Sequence, residues 1–177
     1  MVRYQRQPPG TAVTRASLLA GALLLGVAGV VLVAERPAWA GVIAGCSGAL
    51  LLLGGHRANH GGGGPVDRML TELFDRAWDA VVLGSTAWVS RIDEPTLAAG
   101  ALVALCASFL SSYVRARGAA LGYSVEESHV TRALRYLLIA GGLATSTLQA
   151  SVWVAAGVSI AAAMVRSGQV AREERAT

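Results

Sequence analysis

The chain has no lysine, only 15% charged residues, two cysteines and 6% aromatics in 177 residues. Each shortage excludes something. A typical soluble domain carries roughly 25% charged residues, so there is too little charge here to cover an ordinary globular surface. Cys46 and Cys106 lie inside apolar stretches without a ligand-type neighbour, which argues against a disulfide or a metal site and for two small core residues. Basic and aromatic residues do not interleave, so the formal charge of +4 reads as an orientation signal and as contact with anionic lipid, not as nucleic-acid binding. No Ser, His and acid grouping, no GxxxxGK and no periodic repeat is present, which leaves catalysis of the soluble type unsupported.

What is abundant is apolar sequence, 54% of the chain. It comes in blocks long enough to cross a hydrocarbon layer about 30 Å thick. Six such blocks can be drawn, over residues 12–33, 38–53, 69–89, 97–114, 133–147 and 148–165. The expectation is a single all-α integral membrane domain over residues 1–177, a bundle of six transmembrane helices. Every basic residue is arginine, and thirteen of the fifteen fall before the first block, around the second connection, around the fourth connection or after the last block. Only Arg36 and Arg91 fall on the other side. Short cytoplasmic loops are enriched in basic residues, so both termini are expected in the cytoplasm, as an even number of crossings requires. The basic start, the apolar run from Leu18 and the triplet Ala38, Trp39, Ala40 imitate a cleavable leader. Cleavage there would leave five blocks and break the arginine asymmetry, so the first block is read as a helix of the bundle.

The stretch GGHRANHGGGGPVDR, residues 54–68, reads as a flexible Gly-rich cytoplasmic linker between the second and third helices. His56 and His60 are spaced as two ligands on one helical turn, but no third ligand type stands nearby and a zinc site is not expected. Gly41 and Gly45 form a GxxxG pair, and small residues are so frequent in every block that the pair signals close helix packing without identifying a dimer interface. In RARGAALGYSVEESHVTR, residues 115–132, the arginines read first as membrane anchors, with Ser124 capping a helix that contains Glu126 and Glu127 in its first turns. Guanidinium groups at a membrane surface would also suit a phosphorylated ligand, because Arg presents paired donors to phosphate oxygens.

The most informative segment is TELFDRAWDAVVLGSTAW, residues 71–88, which places acids and an arginine at the start of an apolar run. Asp75 and Asp79 are four residues apart, so on a helix both carboxylates face the same way, one turn apart. That geometry can hold a divalent cation or position a base. Ionisable groups at membrane depth are costly and mark a functional site by default.

DRAWDAVVLGSTAW, from Asp75, and SYVRARGAALGYSVEESHVTR, residues 112–132, resemble the CDP-alcohol phosphatidyltransferases, and in particular the bacterial phosphatidylinositol phosphate synthases. These are six-helix membrane enzymes that move a phosphatidyl group from a CDP-linked lipid to an alcohol. The resemblance implies the bacterial cell (inner) membrane, CDP-diacylglycerol and other membrane lipids as partners, Mg or Mn as cofactor where there is activity, and a homodimer. Asp75 and Asp79 are then the candidate catalytic and metal-binding residues, Gly54 a candidate for the donor-binding glycine, and Arg115, Arg117 and Arg132 the candidate site for the phosphate of the acceptor.

The family signature is DxxDGxxAR, eight residues, then GxxxDxxxD, and its aspartates hold two divalent cations and the pyrophosphate of the donor. With Asp75 as the last aspartate, an ungapped register puts Thr71 at the third, Asp67 at the second glycine, Gly54 at the first glycine, and Leu53 and Leu50 at the first two aspartates. Shifting by four lets Asp75 and Asp79 be the last two, but then Gly54 and Arg57 occupy the first two positions. Neither register supplies four carboxylates, and a leucine offers a hard cation no oxygen. The expectation is a divergent family member that has lost independent catalysis and acts as partner or regulator of an active relative. Two alternatives stand beside it: a working transferase, completed by another subunit or by residues such as Asp67 and Glu72, or an unrelated small structural or transport membrane protein.

Overall fold

The structure, a computed structural model, describes residues 11–60, 64–123 and 129–174. Among the described residues all regular structure is helical, in six helices: α1 (Thr11–Val33), α2 (Pro37–His60), α3 (Pro65–Ser90), α4 (Pro95–Ala120), α5 (His129–Thr145) and α6 (Leu148–Glu174). Proline opens α2, α3 and α4. At a first helical position its missing N–H costs nothing and its fixed φ suits the helix. The stop of α4 is a left-handed residue, Gly122 at φ 88°, with Tyr123 N–H donating to Gly118 O and Gly122 N–H to Ala119 O. The same closure ends α1 at Glu35 and α5 at Ser146, where φ is 60° and 59° without the freedom of glycine.

Of the stretch 54–68 expected as a linker, residues 54–60 continue α2 and residues 65–68 open α3, while 61–63 lie outside the described residues. His56 and His60 stack on one another on the exposed end of α2. Ser124, Glu126 and Glu127, expected at the start of the fifth helix, lie outside the described residues.

Four helices, α1, α2, α4 and α6, are long and apolar enough to cross a membrane. The outer face of the bundle is itself apolar, with Leu23, Val30, Trp39, Leu110 and Leu137 exposed. α3 and α5 carry the charges that turn inward, and their buried faces are polar: Asp67, Thr71, Asp75 and Asp79 on α3, Arg132, Arg135 and Tyr136 on α5. Cys46 and Cys106 correct the sequence reading, since both are exposed. In a bundle whose outer and inner faces are both apolar, hydrophobic neighbours do not tell core from surface.

Small residues bring α2 against its neighbours within the chain. A Cβ on Gly41 would stand 2.7 Å from Ala140 O and 2.7 Å from Ala144 N on α5, and one on Gly54 would stand 2.8 Å from a Leu18 methyl on α1. The GxxxG pair therefore serves packing inside the molecule. Gly54 is likewise a packing residue, buried at the α1 interface.

Candidate functional site

The polar faces of α3 and α5 meet inside the bundle, near the end that carries the α2–α3 and α4–α5 connections. Asp75 is 2% exposed and Asp79 0%, so the side of the helix that their spacing makes common to both carboxylates is the inward one. They do not stand alone. Arg135 reaches both, with Nη2 donating to Asp75 Oδ1 at 3.0 Å and Nε lying 2.7 Å from Asp79 Oδ1. The second contact falls outside hydrogen-bond geometry and is an ion pair held by charge. Arg76 also reaches both: Nη2 donates to Asp75 Oδ2, and Nη1 lies 3.0 Å from Asp79 Oδ2. Arg132 Nε adds a contact of 3.5 Å to Asp75 Oδ1.

Neutral groups complete the arrangement. Tyr136 donates its hydroxyl to Asp75 Oδ1 at 2.6 Å, and Ser108 of α4 donates to Asp79 Oδ2 while accepting from Arg76. The Tyr136 ring packs on Trp78 with centroids 4.3 Å apart, and the Trp78 indole N–H donates to Ala44 O on α2. All four oxygens of the carboxylate pair are thereby engaged. A buried charge cluster is tolerated only where its members are paired and hydrogen-bonded, and residues from α3, α4 and α5 meet that condition except at Asp79 Oδ1 and Arg135 Nε, which face one another without a hydrogen bond.

A further ion pair stands at the start of α3. Asp67, ahead of the apolar block that begins at Met69, accepts from Arg15 Nε at 2.7 Å and from Gly64 N–H at 2.9 Å. The hydrogen bond from Arg15 holds the Asp67 carboxyl below its ordinary range, against the opposing effect of burial. Thr71, one turn on, donates to Asp67 O and its methyl faces Gly55.

The arginines expected at a phosphate site divide. Arg132 is buried with Asp75, and Arg115 pairs with Glu72 at 3.0 Å. Both line a small cavity of about 30 Å³ with Asp75, Arg135, Ser159 and Arg166, room for a water molecule or two. Arg115 also borders a cavity of about 250 Å³ with Glu72, Arg76, Phe109 and Tyr113. Arg117 is exposed and lines neither. Sequence reasoning missed Arg135, Tyr136, Ser108 and Arg166 as site residues. The buried face of α5, with Arg132, Arg135, Tyr136, Ile139, Ala140 and Leu143 at helical spacing, is the signal that could have found the first two.

The divalent cations that the resemblance implies can be tested against these donors. A hard cation takes six or more oxygens, and among the described residues no three His, Cys, Asp or Glu side chains converge. Leu53 is 53% exposed and offers no oxygen, and Thr71, whose hydroxyl donates to Asp67 O, offers a neutral oxygen in place of a carboxylate. The two carboxylates present are already neutralised by guanidinium groups. The donor set does not fit a two-cation centre.

No protein-family model matches the chain. Phosphatidylinositol phosphate synthase of Corynebacterium glutamicum is 31% identical over 154 residues, which cover 81% of this chain and 70% of that protein. Among solved structures, phosphatidylinositol phosphate synthase of Mycobacterium tuberculosis in complex with manganese and citrate matches with a TM-score of 0.75 at 21% identity, over 91% of this chain and 81% of that one. The same enzyme with CDP-DAG bound matches with a TM-score of 0.73 at 22% identity, over 91% of this chain and 85% of that one. The solved structures share the fold, the identity and coverage of the Corynebacterium protein carry the relationship in sequence, and the chain belongs to the CDP-alcohol phosphatidyltransferase family.

Proposed function

We propose that this protein is a divergent CDP-alcohol phosphatidyltransferase-like membrane protein of phospholipid biosynthesis that keeps the family scaffold without independent catalysis, and serves as partner or regulator of an active relative. The observation that carries this reading is the donor set. Leu50, Leu53 and Thr71 stand where the ungapped register expects carboxylates, and Asp75 and Asp79 are committed to Arg76, Arg132 and Arg135. Without cations the charge on a donor pyrophosphate and on a departing CMP is not neutralised. Asp75, bound on both oxygens, is not free to take the proton of an acceptor hydroxyl.

The membrane assignment extends to six crossings with both termini on the cytoplasmic side of a bacterial inner membrane, supported by the arginine asymmetry and by the bacterial source of the relatives. Assembly is as a homodimer or as a heteromer with an active relative. A lipid such as the CDP-DAG of the Mycobacterium structure is the candidate ligand of the scaffold. Arg115, Arg117 and Arg132 are the proposed acceptor-phosphate residues, with the 250 Å³ cavity beside Arg115 supporting the first. That same cavity, walled by Asp75 and Arg115, favours a working transferase as the second reading. Family membership sets aside an accidental likeness.

The test is direct. The purified protein is given CDP-diacylglycerol with inositol phosphate, glycerol phosphate or serine, and with Mg or Mn, and CMP release is measured. No release is expected. Turnover that disappears in Asp75→Asn would establish the transferase instead.

A further inference from the structure

Two guanidinium groups bridge the same two carboxylates, each from its own edge. Arg135 spans Asp75 Oδ1 and Asp79 Oδ1, and Arg76 spans Asp75 Oδ2 and Asp79 Oδ2. Each oxygen of the pair therefore meets a positive group supplied by the chain itself. We propose that Arg76 and Arg135 are built-in cations, which neutralise the Asp75–Asp79 pair from within the chain and close the centre to divalent metal. This deepens the reading above and rests on it.

Three physical features carry the inference. The first is charge: with Arg132 also at Asp75, three guanidinium groups face two carboxylates, so the cluster is electropositive and repels a divalent cation. The second is burial. Arg135 is 6% exposed and lies against both carboxylates through its Nη2 and Nε edge, so a metal would have to evict a charged group into the interior, at high cost. The third is pre-organisation. Ser108 and Tyr136 each donate to a carboxylate oxygen, and the Tyr136 ring is held by Trp78, so the oxygens are aimed before any ligand arrives. A planar guanidinium suits this role because it presents paired donors to carboxylate and does not lose its charge.

The experiment uses the full chain in detergent and Mn²⁺ as the probe, followed by its electron paramagnetic resonance signal and by thermal unfolding with and without EDTA. For the unaltered protein all Mn²⁺ is expected to stay free at millimolar concentration, and the unfolding temperature is expected to be the same with and without EDTA. The variant Asp75→Asn is expected to unfold at lower temperature by the same amount in both conditions. Mn²⁺ bound by the unaltered protein and released in Asp75→Asn, or an unfolding temperature that falls on addition of EDTA, overturns the proposal. The EDTA comparison is made on the unaltered protein and decides the matter even where Asp75→Asn fails to fold. CMP release separates the two readings: turnover without bound Mn²⁺ removes only the proposed function, bound Mn²⁺ without turnover removes only the built-in cations, and Mn²⁺-dependent turnover removes both.

Discussion

The ring of Tyr136 lies so close over Gly48 that a Cβ on the glycine would stand 2.8 Å from Cδ2. This contact joins α2 to the charged cluster, because the same ring packs at a tilt against Trp78 and its hydroxyl is bound to Asp75. Tyr136 has nowhere to yield. Gly48→Ala is therefore expected to destabilise the protein by about 1–3 kcal/mol, the usual cost of overpacking a filled interior. Thermal or denaturant unfolding in detergent measures it, and a variant as stable as the parent would show that the ring can move.

Asp75 bears contacts from Arg76, Arg132, Arg135 and Tyr136. Asp75→Asn leaves those guanidinium groups with one carboxylate among them, and breaking a buried pair from one side costs about 3–5 kcal/mol. Tyr136→Phe removes only a hydrogen bond to a charged group, about 1.5–3 kcal/mol, and keeps the ring over Gly48. Denaturation of both variants should rank Asp75→Asn as the more damaging. The reverse order would mean that the phenol, not the ion pairs, holds the cluster.

The helices were legible in the sequence because apolar blocks mark them, and the shared side of Asp75 and Asp79 followed from their spacing. The partners were not. Arg135 and Tyr136 lie 60 and 61 residues beyond Asp75 and meet it only through the packing of the bundle. Arg132 was singled out for a phosphate and is found against a carboxylate, since a guanidinium group offers both the same donors. Gly54 matched a signature position in the sequence and proves to be a packing contact with α1. The exposed Cys46 and Cys106 escaped the reading because a membrane bundle is apolar on both of its faces.

Arg15 and Asp67 tie α1 to the start of α3. The Asp67 carboxyl is held below its ordinary 3.8 by the Arg15 hydrogen bond, so the pair stabilises the fold above that value. The contribution is lost as pH falls through the lowered folded value. Arg15→Gln should move the acid unfolding transition to higher pH. Because Arg15 is partly exposed, the effect is modest and shrinks with added salt. An acid transition that stays in place in Arg15→Gln would show that the pair does not contribute to stability.

Ser146 ends α5 at φ 59°, a left-handed conformation that a residue with a Cβ adopts at a cost. Thr147 N–H donates to Gly142 O across it, so the turn is fixed by the backbone and cannot relax without losing that bond. The Ser146 side chain is exposed at the rim of a cavity of about 430 Å³ between Leu32, Thr86, Leu97 and Leu143. Replacing it with glycine removes the Cβ strain and little else. Ser146→Gly is expected to stabilise the protein by up to about 1 kcal/mol, the relief of left-handed strain less the greater backbone freedom of glycine when unfolded. The measurement is the shift in unfolding midpoint, and a loss of stability would mean that the serine side chain makes a contact worth more than the strain it carries.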